Sequence, residues 1–140
     1  MNARPGEAGS SLVETVLLIT LLLVPLIWML GALSQVHRAA LTTTSAAREA
    51  AVAAARSLDP LTAGRAARAA AEAAFLDQDL SVDDMVLESF VEEAFERGSE
   101  VGVRIRFPVR IVALPFVQRD PSLWVNATHV TEVDLYRSRG

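Results

Sequence analysis

From Leu12 to Leu33 the chain runs through 22 positions of which only Glu14, Thr15 and Thr20 are polar. As an α-helix rising 1.5 Å per residue, that stretch is about 33 Å long, enough to cross the hydrocarbon core of a bilayer. No other stretch limits the possible folds as strongly. A secretory signal peptide fits poorly, because its apolar region is shorter and follows a basic start. Here the leader sets only Arg4 and the starting amine against Glu7, and no small-residue cleavage site closes the run, Gly31-Ala32-Leu33 being the nearest. The sequence therefore predicts a retained span. Glu14 is the exception within it. A charge deep in hydrocarbon costs about 2.5–3.5 kcal/mol on insertion scales, less near the interface, so this carboxylate calls for a partner.

The residues in front of the run supply a context for that carboxylate. A short polar leader ends in Gly9, and Glu14 follows five residues later. Gly9 followed by Ser10, then Glu14, resembles the processing site of type IV prepilins. The stretch Gly9-Ser10-Ser11-Leu12-Val13-Glu14-Thr15-Val16-Leu17-Leu18 is similar to the opening of the TadE-like pilus assembly family. The resemblance implies that a prepilin peptidase cuts after Gly9 and leaves Ser10 as the new amino terminus. It further implies that Glu14 meets a terminal amine, its own or a neighbour's. Electrostatics favours such pairing, since a buried charge left alone is strongly unfavourable while a paired one can break even. The alternative is a plain signal anchor with Glu14 among the headgroups. Charge and resemblance disagree on orientation. Arg38 and Arg48 follow the span and only Arg4 precedes it, so the positive-inside rule places the C-terminal side in the cytoplasm. The resemblance implies the reverse, a cytoplasmic-membrane protein with its C-terminal domain extracytoplasmic, and that orientation is the expectation adopted.

The rest of the chain, just over 100 residues, suits one modest domain. With no cysteine there is no disulfide, thiol nucleophile or cysteine-ligated metal. A net charge of −4 argues against nucleic acid as the main partner. All 13 basic residues are arginine, which with the abundant alanine suggests a GC-rich bacterial genome.

Pro25 predicts a bend in the span, since membrane helices tolerate proline. Nothing else breaks the helix before Asp59-Pro60, so one helix of about 70 Å is expected from Leu12 to about Ser57. Ala40, Thr44, Ala47, Ala51, Ala54 and Leu58 recur at alternating steps of four and three, a seam of small side chains. Either other chains or the domain's own sheet can complete it. Asp59-Pro60 reads as an N-cap and first-turn proline of a second helix reaching about Leu76. Leu61, Ala67, Ala71, Ala74 and Phe75 can share its buried face, with Arg65, Arg68 and Glu72 pointing away.

Between Asp77 and Glu100 lie nine acids and one arginine, with no glycine where a calcium loop needs its turn. A solvated face is expected there. Residues 82–96 admit two readings. One is a helix, with Ser81 and Asp84 as a capping box. The other, which the resemblance to TadE-like chains favours because it implies a small sheet after the stem, is a hairpin turning at Arg97-Gly98-Ser99. That hairpin sets Leu87 opposite Val109, Val91 opposite Ile105, Phe95 opposite Val101 and Glu92 opposite Arg104, with Glu93 as the misfit. The next strand is clear: Val101, Val103, Ile105, Phe107, Val109 and Ile111 alternate with Arg104, Arg106, Pro108 and Arg110, one face buried and one basic. Pro108 marks an edge, bulge or break. Phe107-Pro108-Val109 and Leu114-Pro115-Phe116 look like the strand end and loop of TadE-like domains. After a turn at Asp120-Pro121-Ser122, a last strand runs from Leu123 to about Tyr136, with Leu123, Val125, Ala127, Val133 and Leu135 inward.

The expected fold is therefore α+β: a long N-terminal helix serving as transmembrane segment and stem, a second short helix, and a small antiparallel sheet. The divisions are 1–9 leader, 10–34 transmembrane segment, 35–58 stem and 59–140 extracytoplasmic domain. His37 is expected at the membrane interface and His129 on a strand surface or core edge, neither as metal ligand or catalyst. Asn126-Ala127-Thr128 matches a glycosylation sequon by chance. With no phosphate-binding loop, nucleophile elbow or zinc pattern, neither enzyme activity nor a cofactor or small-molecule substrate is expected. By resemblance the chain is a minor pilin or pseudopilin of a tight-adherence pilus. Its partners would be the prepilin peptidase, the major Flp-type pilin, other minor pilins and the inner-membrane assembly platform. An unprocessed single-pass adaptor of an envelope complex and a secretion-system pseudopilin are the alternatives.

Overall fold

A computed structural model describes residues 7–57, 59–91, 99–111 and 122–133. Helix α1 spans Glu7–Ala55, helix α2 Pro60–Leu76, and strands β1 (Val86–Val91), β2 (Glu100–Arg110) and β3 (Ser122–Glu132) follow. The strands form an antiparallel sheet in the order β1-β2-β3. This is the expected α+β architecture, long helix first.

Helix α1 is continuous for 49 residues, about 73 Å. It passes through Pro25, whose missing N–H leaves the Leu21 carbonyl without its usual helical donor. Its two halves differ in what surrounds them. From Leu12 to Leu33 every side chain except Trp28 and Ala32 is exposed. From Ala39 onward one stripe is buried: Ala39, Thr43, Ala46, Ala47, Ala50, Ala51 and Ala54. That stripe is not the expected seam. Ala47, Ala51 and Ala54 belong to it, but Thr44 is exposed and Ala40 half-buried, while Leu58 lies outside the described residues. An unsupercoiled helix at 3.6 residues per turn drifts off a strict 3.5-residue seam, so the buried face widens to paired positions such as Ala46/Ala47 and Ala50/Ala51. The domain itself covers the stripe. Thr42, Thr43 and Thr44 each donate a hydroxyl hydrogen bond to the carbonyl four residues back, at 3.0, 2.7 and 2.8 Å. Thr43 is thereby fully buried without an unsatisfied hydroxyl.

After a short turn α2 folds back, starting at the expected cap. Asp59 is extended and its carboxylate accepts from the Thr62 amide at 3.0 Å and the Thr62 hydroxyl at 2.6 Å. The buried face is Ala63, Ala67, Ala71 and Phe75, a strict i+4 row. Leu61, placed on that face by the sequence, is instead 68 % exposed. Ala63, one turn before Ala67, takes its place, and small side chains on both helices permit close approach. At the far end Asp79 adopts φ 54°, and the Asp79 and Leu80 amides donate to the Leu76 and Phe75 carbonyls. This left-handed residue turns the chain toward the sheet; aspartate tolerates the conformation better than most side chains.

Residues 86–91 are strand, as the hairpin reading required. The Ser81 hydroxyl accepts from the Asp83 amide in a turn, so it starts no helix. The register, however, is displaced by four residues. Leu87 faces Ile105, Glu88 faces Arg104 and Val91 faces Val101. A register that sets Val91 against Val101 is incompatible with a three-residue loop at Arg97-Gly98-Ser99. Arg97 and Gly98 of that turn and Glu92, Glu93 and Phe95 lie outside the described residues, as do Leu114-Pro115-Phe116, Asp120-Pro121 and Leu135. An even shift keeps every side chain on its expected face, which is why face and register were separable. Beyond Arg106, β2 pairs with β3 alone, so Pro108 sits where the central strand has become an edge.

The core lies between α1, α2 and one sheet face. Val101, Val103, Ile105, Phe107 and Val109 are buried, with Val125 and Ala127 of β3 packed beside them. Phe75 meets Phe107 at 4.9 Å between ring centroids, tilted 51°, a favourable aromatic geometry.

Candidate functional site

The residues singled out by sequence all lie on α1 ahead of the domain. Gly9 and Ser10 are within its first turn, where backbone N–H groups have no intrahelical acceptor and the helix opens most easily. Glu14 stands one turn further on, exposed, and no described residue forms an ion pair or hydrogen bond with it. Its neighbour Thr15 satisfies its own hydroxyl on the Ser11 carbonyl at 2.8 Å. Glu14 finds no such partner among the described residues.

The surroundings set the energy scale. Fifteen large aliphatic and methionine side chains between Leu12 and Leu33 are substantially exposed. At about 1.5 kcal/mol or more each for full burial, covering them is worth roughly 20 kcal/mol. A deficit of that size exceeds the stability of most domains, so this half of α1 must be covered by lipid or protein. By length and composition it can cross a membrane.

The two histidines lie on different elements: His37 is exposed on α1, four residues past Leu33, and His129 half-buried on β3. Among the described residues no group of three or more histidines and acids could hold a metal ion. The sequon residues Asn126 and Thr128 are exposed within β3, and the Thr128 hydroxyl accepts from Arg104 Nε at 3.3 Å.

Sequence reasoning missed a second grouping at the sheet end beside α1. An open cleft of about 440 Å³ is lined by Gln35, Arg38 and Ala39 of the helix and by Pro108, Val109 and Arg110 of β2. Arg110 pairs with Asp84 at 2.9 Å. On the outer face the Arg106 guanidinium lies over the Trp124 ring, 5.3 Å from its centroid. Alternation put both side chains on the outer face, but their meeting depends on the β2–β3 register, which alternation does not specify.

The fold thus defines a class: a small α+β domain clamped onto one end of a single helix whose other end is uncovered and apolar. No protein-family model matches the chain, and no curated protein or solved structure matches it.

Proposed function

We propose that the chain is a TadE-like minor pilin or pseudopilin, a structural component in assembly of a tight-adherence pilus, cut after Gly9 by a prepilin peptidase. The observation that carries this reading is Glu14: a carboxylate with no partner among the described residues, on an exposed apolar stretch of helix, five residues behind Gly9. In a bundle of such helices, the amine of Ser10 supplies the missing counter-charge, and low dielectric makes the pairing strong. The α1 stem, the domain wrapped around it and the absence of a catalytic motif in the sequence suit a subunit that works by packing. In this reading the domain is extracytoplasmic, and the major Flp-type pilin, other minor pilins and the inner-membrane platform are the partners. The second reading is an unprocessed single-pass adaptor of an envelope complex; the distribution of Arg38 and Arg48 bears on orientation alone, where it opposes an extracytoplasmic domain.

Mass spectrometry of the protein from its native host separates the two: a mature chain starting at Ser10 is expected. A terminus still at Met1, or one beyond Leu33, refutes the pilin reading. Glu14→Leu then tests the carboxylate. The expected product is cut after Gly9, resides in the membrane and forms no pili. Normal piliation removes Glu14 from assembly, and loss of cleavage moves its role to peptidase recognition.

A further inference from the structure

The cleft described above fixes the height of the sheet relative to the apolar run. Gln35 and Ala39 lie two and six residues past Leu33, about 3 and 9 Å along the helix. The interfacial layer on each side of the hydrocarbon is of similar depth, roughly 5–8 Å. With Leu12–Leu33 in hydrocarbon, the end of β2 that lines the cleft opposite residues 35–39, and the start of β3 paired with it, are therefore level with the phospholipid headgroups. Its composition suits that level. Leu123 and Trp124 are each 48 % exposed and open β3, opposite Val109 and Pro108. Trp124 is covered on one face by Arg106. Tryptophan belongs at membrane–water interfaces, and arginine pairs with phosphate.

We propose that this corner of the domain rests in the headgroup layer, Trp124 and Leu123 at the hydrocarbon boundary and Arg106 and Arg110 on lipid phosphates. The inference depends on α1 spanning the membrane and is independent of which leaflet the domain faces. Arg110 keeps donors free beside its bond to Asp84, because a guanidinium offers five. Arg38, Arg106 and Arg110 stand against Asp83 and Asp84 here, a net single positive charge. The contact is therefore with phospholipid phosphate in general and does not need an anionic lipid. The consequence is a domain held at a defined tilt against the bilayer.

The chain has two tryptophans, which makes the test direct. Trp28→Phe leaves Trp124 as sole emitter, and Trp124→Phe leaves Trp28. Each full-length variant is reconstituted in phosphatidylcholine vesicles carrying a nitroxide either near the headgroup or deep on the acyl chain. Trp28 is expected to be quenched by the deep label, which establishes the span. Trp124 is expected to be quenched by the shallow label in preference, and Arg106→Gln, added to Trp28→Phe, should lose much of that quenching relative to label-free vesicles. Deep quenching of Trp28 with no quenching of Trp124 overturns the proposal and leaves the span intact. No quenching of Trp28 overturns both. Trp124 emission that changes with protein density while escaping the shallow label assigns the corner to another copy of the chain, and also overturns the proposal.

Discussion

Asp59 shows how one side chain sets a boundary. Its carboxyl is held below the ordinary value of 3.8, first by the hydrogen bond from the Thr62 hydroxyl and next by that from the Thr62 amide. The folded value lies below the unfolded one, so this contribution is complete above the unfolded value and is lost as pH falls through the folded one. Asp59→Ala should speed hydrogen exchange at the Thr62 amide at neutral pH, and the two proteins should converge once Asp59 is protonated. Exchange unchanged at neutral pH would mean that the cap does not hold the first turn. This cap was legible because Asp-Pro states both of its roles locally. The turn at Asp79 was not, because an aspartate with φ 54° looks in sequence like any other acid in an acidic stretch.

Between elements, the sheet separates what alternation encodes from what it leaves open. The burial of Val101, Val103, Ile105, Phe107 and Val109 follows from a period of two and was readable residue by residue. The β1–β2 register was not, because a four-residue slide leaves each face unchanged. The polar partner moves with it. Arg104 faces Glu88, 3.9 Å away with both side chains about half exposed, where Glu92 was expected. A double-mutant cycle on Glu88 and Arg104 should give a coupling of roughly 0.2–1 kcal/mol, with none for Glu92 and Arg104. The reverse result would restore the register with Glu92 opposite Arg104. The α1–α2 packing makes a sharper demand. Ala67 is fully buried on a face of alanines, so Ala67→Leu should destabilise by about 1–3 kcal/mol in denaturant unfolding, whereas the same gain in hydrophobicity at exposed Ala69 should do little. Phe75→Ala, which empties the contact with Phe107, should cost about 3–5 kcal/mol.

For the molecule as a whole, the continuity of α1 is a matter of angular phase. Each helical residue turns the axis by about 100° and advances it 1.5 Å, so an unbroken helix locks the compass bearing of Glu14 to that of the sheet. A single alanine inserted after Ser34 swings the carboxylate by about 100° relative to the domain while lifting the domain only 1.5 Å. Seven inserted residues return the bearing to within about 20° and raise the domain by roughly 10 Å. If assembly reads direction, the one-residue insertion should abolish piliation and the seven-residue insertion should restore part of it, with N-terminal processing unchanged in both. Equal piliation in the two would mean that the helix turns freely in its surroundings. Helix α1 thus behaves as a drive shaft: whatever rotates the domain about the helix axis carries Glu14 round by the same angle.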